Sequence, residues 1–215
     1  MIGVTTDGYR EILGIMEGPK EDKSGWSAFL WHLVDRGLCG VQIAVSDACR
    51  GLGKSATEVL PDAQWPRCVV HFHRNAFSLV PSGKVRDVSR MLKAIHAQED
   101  RKAAAEKMQA VIADLRAMKL AKAAELLEES AHETLTCYGF PDSHWIKLRT
   151  NNPRERIMRE IRRRTRVVGA FPDGTCCLNL AAARLRHIAG TRWSTRKYMN
   201  MTPLFADQTQ AAVVA

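Results

Sequence analysis

The sequence predicts an α/β domain interrupted by an all-α insertion. Three observations carry that prediction. Short extended runs alternate with helical stretches over the first seventy or so residues, the order expected of an α/β fold. Residues 86–138 then contain neither Gly nor Pro, and their apolar residues recur at helical spacing. From Asn152 onward the chain is again helical in pattern, now under a heavy basic load.

At the start of the chain, extended runs at residues 2–6 and 9–16 flank Asp7-Gly8. That dipeptide predicts a hairpin with both turn positions at positive φ. Glu17-Gly18-Pro19 ends the second run. Residues 24–38 read as a helix, with Trp26, Phe29, Leu30, Leu33 and Val34 on one stripe and Gly37 and Gly40 as stops. The apolar run 41–45 has the length and β-branched content of a buried strand, and it leads into Ser46-Asp47. A helix over 51–60 follows and Pro61-Asp62 breaks it. Residues 65–70 read as a further strand, placed near an edge by Pro66.

In the insertion, Val88, Met91, Leu92 and Ile95, then Met108, Val111, Ile112 and Leu115, then Leu126 and Leu127 predict two to four packed helices. A long basic helix starts at Asn152, and Gly169 and Pro172-Asp173-Gly174 interrupt it. A last helix covers about 176–192, and the tail beyond is weakly patterned. The segmentation is thus a core at 1–73, the insertion at 74–142, C-terminal core helices at 143–204 and a tail at 205–215.

Composition narrows the partners. Apolar residues make up 46% of the 215, enough for a sizeable core, and the formal net charge of +9 favours a polyanion. A merely basic soluble protein is the plain alternative. The six cysteines lack a Cys-x-x-Cys spacing and read as reduced thiols, mostly buried. Neither a signal peptide nor an apolar run of membrane-spanning length is legible, so the expected location is the cytoplasm, with no membrane partner.

Few residues could carry chemistry. Asp47 follows a strand, where α/β active sites gather, although a strand-end aspartate also caps or turns loops. Glu155 lies three residues after Asn152, so with Asn152 as N-cap and Pro153 at the first helical position it completes a capping box. Yet residues 149–166 hold eight arginines against two glutamates. Among so many guanidinium groups, Glu155 is an oxygen donor of the kind Mg²⁺ or Mn²⁺ takes. Arg159, Arg162, Arg163 and Arg166 continue at helical spacing. A charge run is usually a solvated face, but one of a single sign repels itself unless an anion lies against it, and a phosphate backbone is such an anion. Cys68, His71 and His73 tempt a zinc reading, which the absence of a second ligand pair disfavours. Trp145 could stack on a base or sit in the core.

In this order, four stretches resemble the mutator family of bacterial insertion-sequence transposases, DDE enzymes with an RNase H-like domain. They are Ile2-Gly3-Val4 through Asp7-Gly8 to Gly14, Val45-Ser46-Asp47-Ala48-Cys49-Arg50-Gly51-Leu52, Gln64-Trp65-Pro66-Arg67-Cys68-Val69-Val70-His71 through Asn75, and Thr150-Asn151-Asn152-Pro153-Arg154-Glu155-Arg156 on to Pro172. The resemblance implies that Asp47 is the second catalytic aspartate and Glu155 the catalytic glutamate, together holding Mg²⁺ (or Mn²⁺). Cys68 and His71 match the family's Cys-x-x-His motif, an auxiliary one. It also implies DNA as partner, both element ends and target, a homo-oligomer in full-length members, and association with the nucleoid. The family's first aspartate sits on a strand just before the hairpin, and this chain begins after it; Asp7, at a hairpin tip, does not replace it. The expectation is therefore an RNase H-like domain lacking its first strand, N-terminally truncated and inactive as this chain. Two competing readings remain: a non-catalytic, sequence-tolerant DNA-binding protein, and an interaction module built on the helical insertion.

Overall fold

The computed structural model describes residues 1–18 and 22–206. Pro19 and most of the tail at 205–215 lie outside them. The protein is mostly helical, and the one sheet among the described residues is two-stranded. Its contacts group into two compact units, residues 40–150 and residues 1–39 with those from 151 on.

In the discontinuous unit, β1 (Ile2–Val4) pairs antiparallel with β2 (Arg10–Ile12), Gly3 opposite Glu11. Both strands are shorter than the runs that predicted them. The turn also differs from the two-residue form expected of Asp7-Gly8. Thr5 N–H bonds the Tyr9 carbonyl at 2.8 Å, leaving a three-residue loop in which Gly8, at φ +87°, takes the left-handed position. One positive-φ residue suffices in that loop, so Asp7 keeps an ordinary backbone. Helix α1 (Lys23–Asp35) is capped by the Asp22 carboxylate, which accepts from Gly25 N–H. It ends in a Schellman motif: Leu38 N–H reaches the Leu33 carbonyl and Gly37, at φ +99°, bonds Val34.

The long helix α8 (Asn152–Val168) buries Ile157 and Ile161 against Ala181 and Leu185 of α9 (Gly174–Ala189), with Ile2 and Ile12 of the hairpin packed beside them. Asp173 caps α9 through Cys176 N–H. Gly190 stops α9 earlier than the sequence pattern suggested, and the short α10 (Arg192–Thr195) follows.

The 40–150 unit opens with a parallel ladder in place of two full strands. Gln64 N–H bonds Gln42, Ala44 N–H bonds Gln64, Ser46 N–H bonds Pro66 and Cys68 N–H bonds Ser46. The bond that should join residue 66 to Ala44 is missing because Pro66 has no N–H, so the pairing is reduced to bridges at Ile43–Gln64 and Ser46–Arg67. The strand expected at 65–70 is also cut short. Cys68 is the N-cap of α3 (Val69–Ser78), and Phe72 N–H already closes a helical turn on its carbonyl. Between the two arms lies α2 (Arg50–Val59).

The all-α block has the expected form. Helices α4 (Val85–Ile95), α5 (Arg101–Ala117) and α6 (Ala121–Ser130) pack with α3 and a 3₁₀ segment at Ala131–Gly139. Val88, Leu92 and Ile95, Ala104, Val111 and Leu115, and Leu127 form a core that excludes solvent. Helix α7 (Asp142–Leu148) closes the unit. The cysteines correct one expectation: all are free, but Cys68 and Cys137 alone are buried, while Cys39 and Cys176 are exposed. No described helix is long and apolar enough to cross a membrane.

Candidate nucleic-acid and metal-binding site

Helix α8 presents two opposite faces. At about 100° per residue, Glu155, Arg159, Arg162 and Arg166 fall within a sector of roughly 60°, while Ile157 and Ile161 point nearly the other way. The four arginines predicted from the sequence, Arg159, Arg162, Arg163 and Arg166, are exposed and border one open depression. Their counter-ions are unequal. Glu160 lies on a flank of the helix and pairs with Arg184 at 2.7 Å, Arg163 at 3.1 Å and Arg164 at 3.4 Å. The Arg163 hydrogen bond, with the charges around it, holds the Glu160 carboxyl below its usual range. Arg159, Arg162 and Arg166 have no carboxylate partner among the described residues. An anion laid on that face would relieve their mutual repulsion.

The capping-box account of Glu155 does not hold. The N-cap is Asn151, and Glu155 N–H bonds its carbonyl at 3.1 Å, which makes Glu155 the fourth helical residue with Pro153 at the second. By spacing, that position lies on the cationic face. The Arg154 guanidinium lies 4.0 Å from its carboxylate.

Asp47 sits at the carboxyl end of the Gln42–Ser46 arm, as expected, within the 40–150 unit. Its backbone makes the turn, since Cys49 N–H bonds the Asp47 carbonyl at 2.7 Å. The N-cap of α2 is Cys49, whose side chain makes no capping bond. Asp47 is partly exposed. Ser46 holds the approach: its hydroxyl accepts from Trp65 Nε1 at 2.8 Å and donates to the Asp47 carbonyl at 2.7 Å. Gly53 lets α2 lie on the Trp65 ring, where a Cβ would approach to 2.6 Å.

Cys68 and His71 lie one turn apart, with Cys68 fully buried at the cap of α3 and His71 on its first turn. Among the described residues, no group of three His, Cys, Asp or Glu is placed to hold a metal ion. Asp47 and Glu155 thus offer suitable hard oxygen donors but not, by themselves, a complete ligand set. Trp145 is a packing residue: its Nε1 donates to the Phe140 carbonyl at 2.7 Å and its ring meets Tyr138 edge-on.

The sequence reading missed two polar clusters. His96 is buried in the helical core, its Nε2 2.9 Å from the Thr134 hydroxyl and its ring edge-on to His73. Burial first, and then neighbouring positive groups, push both histidines down to about 4. Arg10 lies between Trp193 and Tyr198. Neither cluster has a spacing signal, because its members come from distant parts of the chain.

The family model described as "Transposase, Mutator family" matches residues 1–194. The transposase for insertion sequence element IS1081 of Mycobacterium tuberculosis is 38% identical over 202 residues, 94% of this chain and 48% of its own length. The transposase for insertion sequence element IS406 of Burkholderia multivorans is 37% identical, covering 94% of this chain and 52% of its own. That for IS256 in transposon Tn4001 of Staphylococcus aureus is 33% identical, covering 93% and 51%. The chain spans about half the length of the curated relatives it matches. It belongs to the Mutator family of transposases.

Proposed function

We propose that this chain supplies part of a DDE transposase centre that moves an insertion element by metal-dependent DNA cleavage and strand transfer, on an RNase H-like core. The observation that carries the reading is the α8 face, where Glu155 shares one sector with Arg159, Arg162 and Arg166 opposite the buried Ile157 and Ile161. Phosphodiester backbone of element ends and target fits against those guanidinium groups, which orient it and offset its charge. Asp47 and Glu155 are the carboxylates that would hold Mg²⁺ or Mn²⁺. A divalent cation there supplies Lewis acidity at the phosphorus and a lowered pKa for the attacking hydroxyl. Trp65 and Ser46 position Asp47, and Cys68 and His71 act as auxiliary residues behind it. We expect no strand transfer from this chain alone, since two carboxylates do not make up the three of a DDE centre. A homo-oligomer at the nucleoid is the natural setting.

The Arg159, Arg162 and Arg166 face, which has no carboxylate partner among the described residues, also fits a second reading, a sequence-tolerant DNA-binding protein without catalysis. Manganese binding monitored by electron paramagnetic resonance in the presence of duplex DNA separates the two. The first reading expects Asp47→Asn and Glu155→Gln each to weaken Mn²⁺ binding about tenfold or more. Unchanged Mn²⁺ affinity in both variants, with duplex binding intact, would leave the second.

A further inference from the structure

Arg10 of β2 is held in an unusual way for a strand arginine. Its guanidinium carbon is 4.7 Å from the Trp193 ring centroid and 4.9 Å from that of Tyr198. The segment that brings Tyr198 there is pinned to the hairpin turn, since Tyr198 N–H and Met199 N–H both donate to the Gly8 carbonyl, at 2.8 and 3.1 Å. Gly8 allows this approach, because a Cβ on it would collide with the Met199 carbonyl. Arg196 lies in the chain between Trp193 and Tyr198, and Arg156 precedes Ile157, which shares one apolar cluster with Ile12 of β2 and with Trp193; both arginines act on Arg10 as like charges. Both are exposed. None of the three has a carboxylate partner among the described residues, and Arg10 Nε is buried without a hydrogen-bond acceptor. Three guanidinium groups are thus drawn together by hairpin, helix and C-terminal segment, with no carboxylate among the described residues paired to them.

We propose that Arg10, Arg156 and Arg196 form a second phosphodiester-binding site, with Arg10 fixed for bidentate contact by its stacking against Trp193 and Tyr198. A planar guanidinium held against two aromatic rings keeps its donors in one fork, which suits phosphate oxygens. The ligand is the backbone of duplex DNA and not a small phosphate, for a geometric reason. Arg156 and Arg163 share a flank of α8 beside the Arg159, Arg162 and Arg166 face, and the row from Arg156 to Arg166 is about 15 Å long at 1.5 Å per residue. That length spans several phosphates. The site therefore extends the DNA path assigned to α8, and it rests on the DNA reading of that helix.

The test uses the whole chain and a random-sequence duplex, with fluorescence anisotropy followed over a salt series. Arg156→Gln and Arg196→Gln, both at exposed positions, should each make the slope of log affinity against log salt shallower by about 0.9, and the double variant by about 1.8. Arg10→Lys keeps the charge but not the fork, so it should retain the slope while losing affinity threefold or more. An unchanged slope in the Arg156→Gln/Arg196→Gln double variant overturns the site. If that occurs while Arg159→Gln/Arg162→Gln/Arg166→Gln flattens the slope, the α8 reading stands and this one fails. If the double variant flattens the slope and the triple variant does not, this site stands and the α8 face fails. No duplex affinity at low salt in the wild-type chain sinks both.

Discussion

Gly53 and Lys119 show how much a single position can hold. A Cβ at Gly53 would sit 2.6 Å from the Trp65 ring, and that ring is tied by its Nε1 to Ser46 beside Asp47. Gly53→Ala should therefore destabilise the chain by about 1–3 kcal/mol through overpacking, read as a lower urea midpoint. Lys119 is the one non-glycine residue at positive φ among the described residues, at 61°. It occupies the Schellman position after α5, where Leu120 N–H reaches the Leu115 carbonyl and Lys119 N–H the Arg116 carbonyl. Lys119→Gly should stabilise by about 0.5–1 kcal/mol, because the left-handed conformation penalises a side chain; an unchanged or lower midpoint would contradict that. The buried histidines set a pH window. Both His73 and His96 titrate near 4 when folded and near their ordinary 6.5 when unfolded. Their contribution to stability is fully present above pH 6.5 and is lost as pH falls towards 4, since the unfolded chain takes up the protons first. For His96, the more deeply buried ring, the loss should be about 2 kcal/mol across that interval. Urea midpoints between pH 7 and pH 4 measure it, and His96→Asn should flatten the dependence.

Among the elements, α8 divides its labour by face. Ile157 and Ile161 fix it against α9. Glu160 absorbs Arg163, Arg164 and Arg184 on one flank. The opposite face leaves Arg159, Arg162 and Arg166 without a carboxylate partner among the described residues. Replacing those three by Gln should flatten the salt dependence of duplex binding by about 2–3 in slope, while the helical circular-dichroism signal stays unchanged because no buried contact is touched. Much of this helix was legible, since the spacing of the basic and apolar residues names both faces. Its first turn was not. Asn151 and Asn152 are equally good cap residues on paper, and the helix starts after Asn151. That one-residue shift moves Glu155 out of the capping-box position, while its place on the cationic face follows from spacing alone. Similarly, the ladder around Asp47 was legible as a strand but not its weakness. The missing bond at Pro66 matters only once residue 66 is known to face residue 44.

For the whole molecule, the two units differ in how the chain builds them. Residues 40–150 are continuous and hold a closed apolar core from Phe72 to Leu135. The other unit joins the hairpin and α1 to helices from residue 152 on, so its parts lie more than a hundred residues apart. A 40–150 fragment should therefore fold alone and unfold cooperatively in urea, with a sigmoidal circular-dichroism transition; a non-cooperative slope would show that its core is insufficient. Local pattern alone accounts for the helical stretch at 86–138, the amphipathic split of α8, a hairpin at Asp7-Gly8, the strand-end place of Asp47 and the motif order that marks a Mutator-family transposase. Packing in the folded chain accounts for the rest: the three-residue form of that hairpin turn, the cap register at Asn151, the bridged ladder, the His73–His96 pair and Arg10 against Trp193 and Tyr198. The reason is physical. Periodicity and turn chemistry act between residues a few positions apart, whereas a buried ring pair or a cluster of like charges is assembled by packing of distant segments, and no spacing along the chain records it.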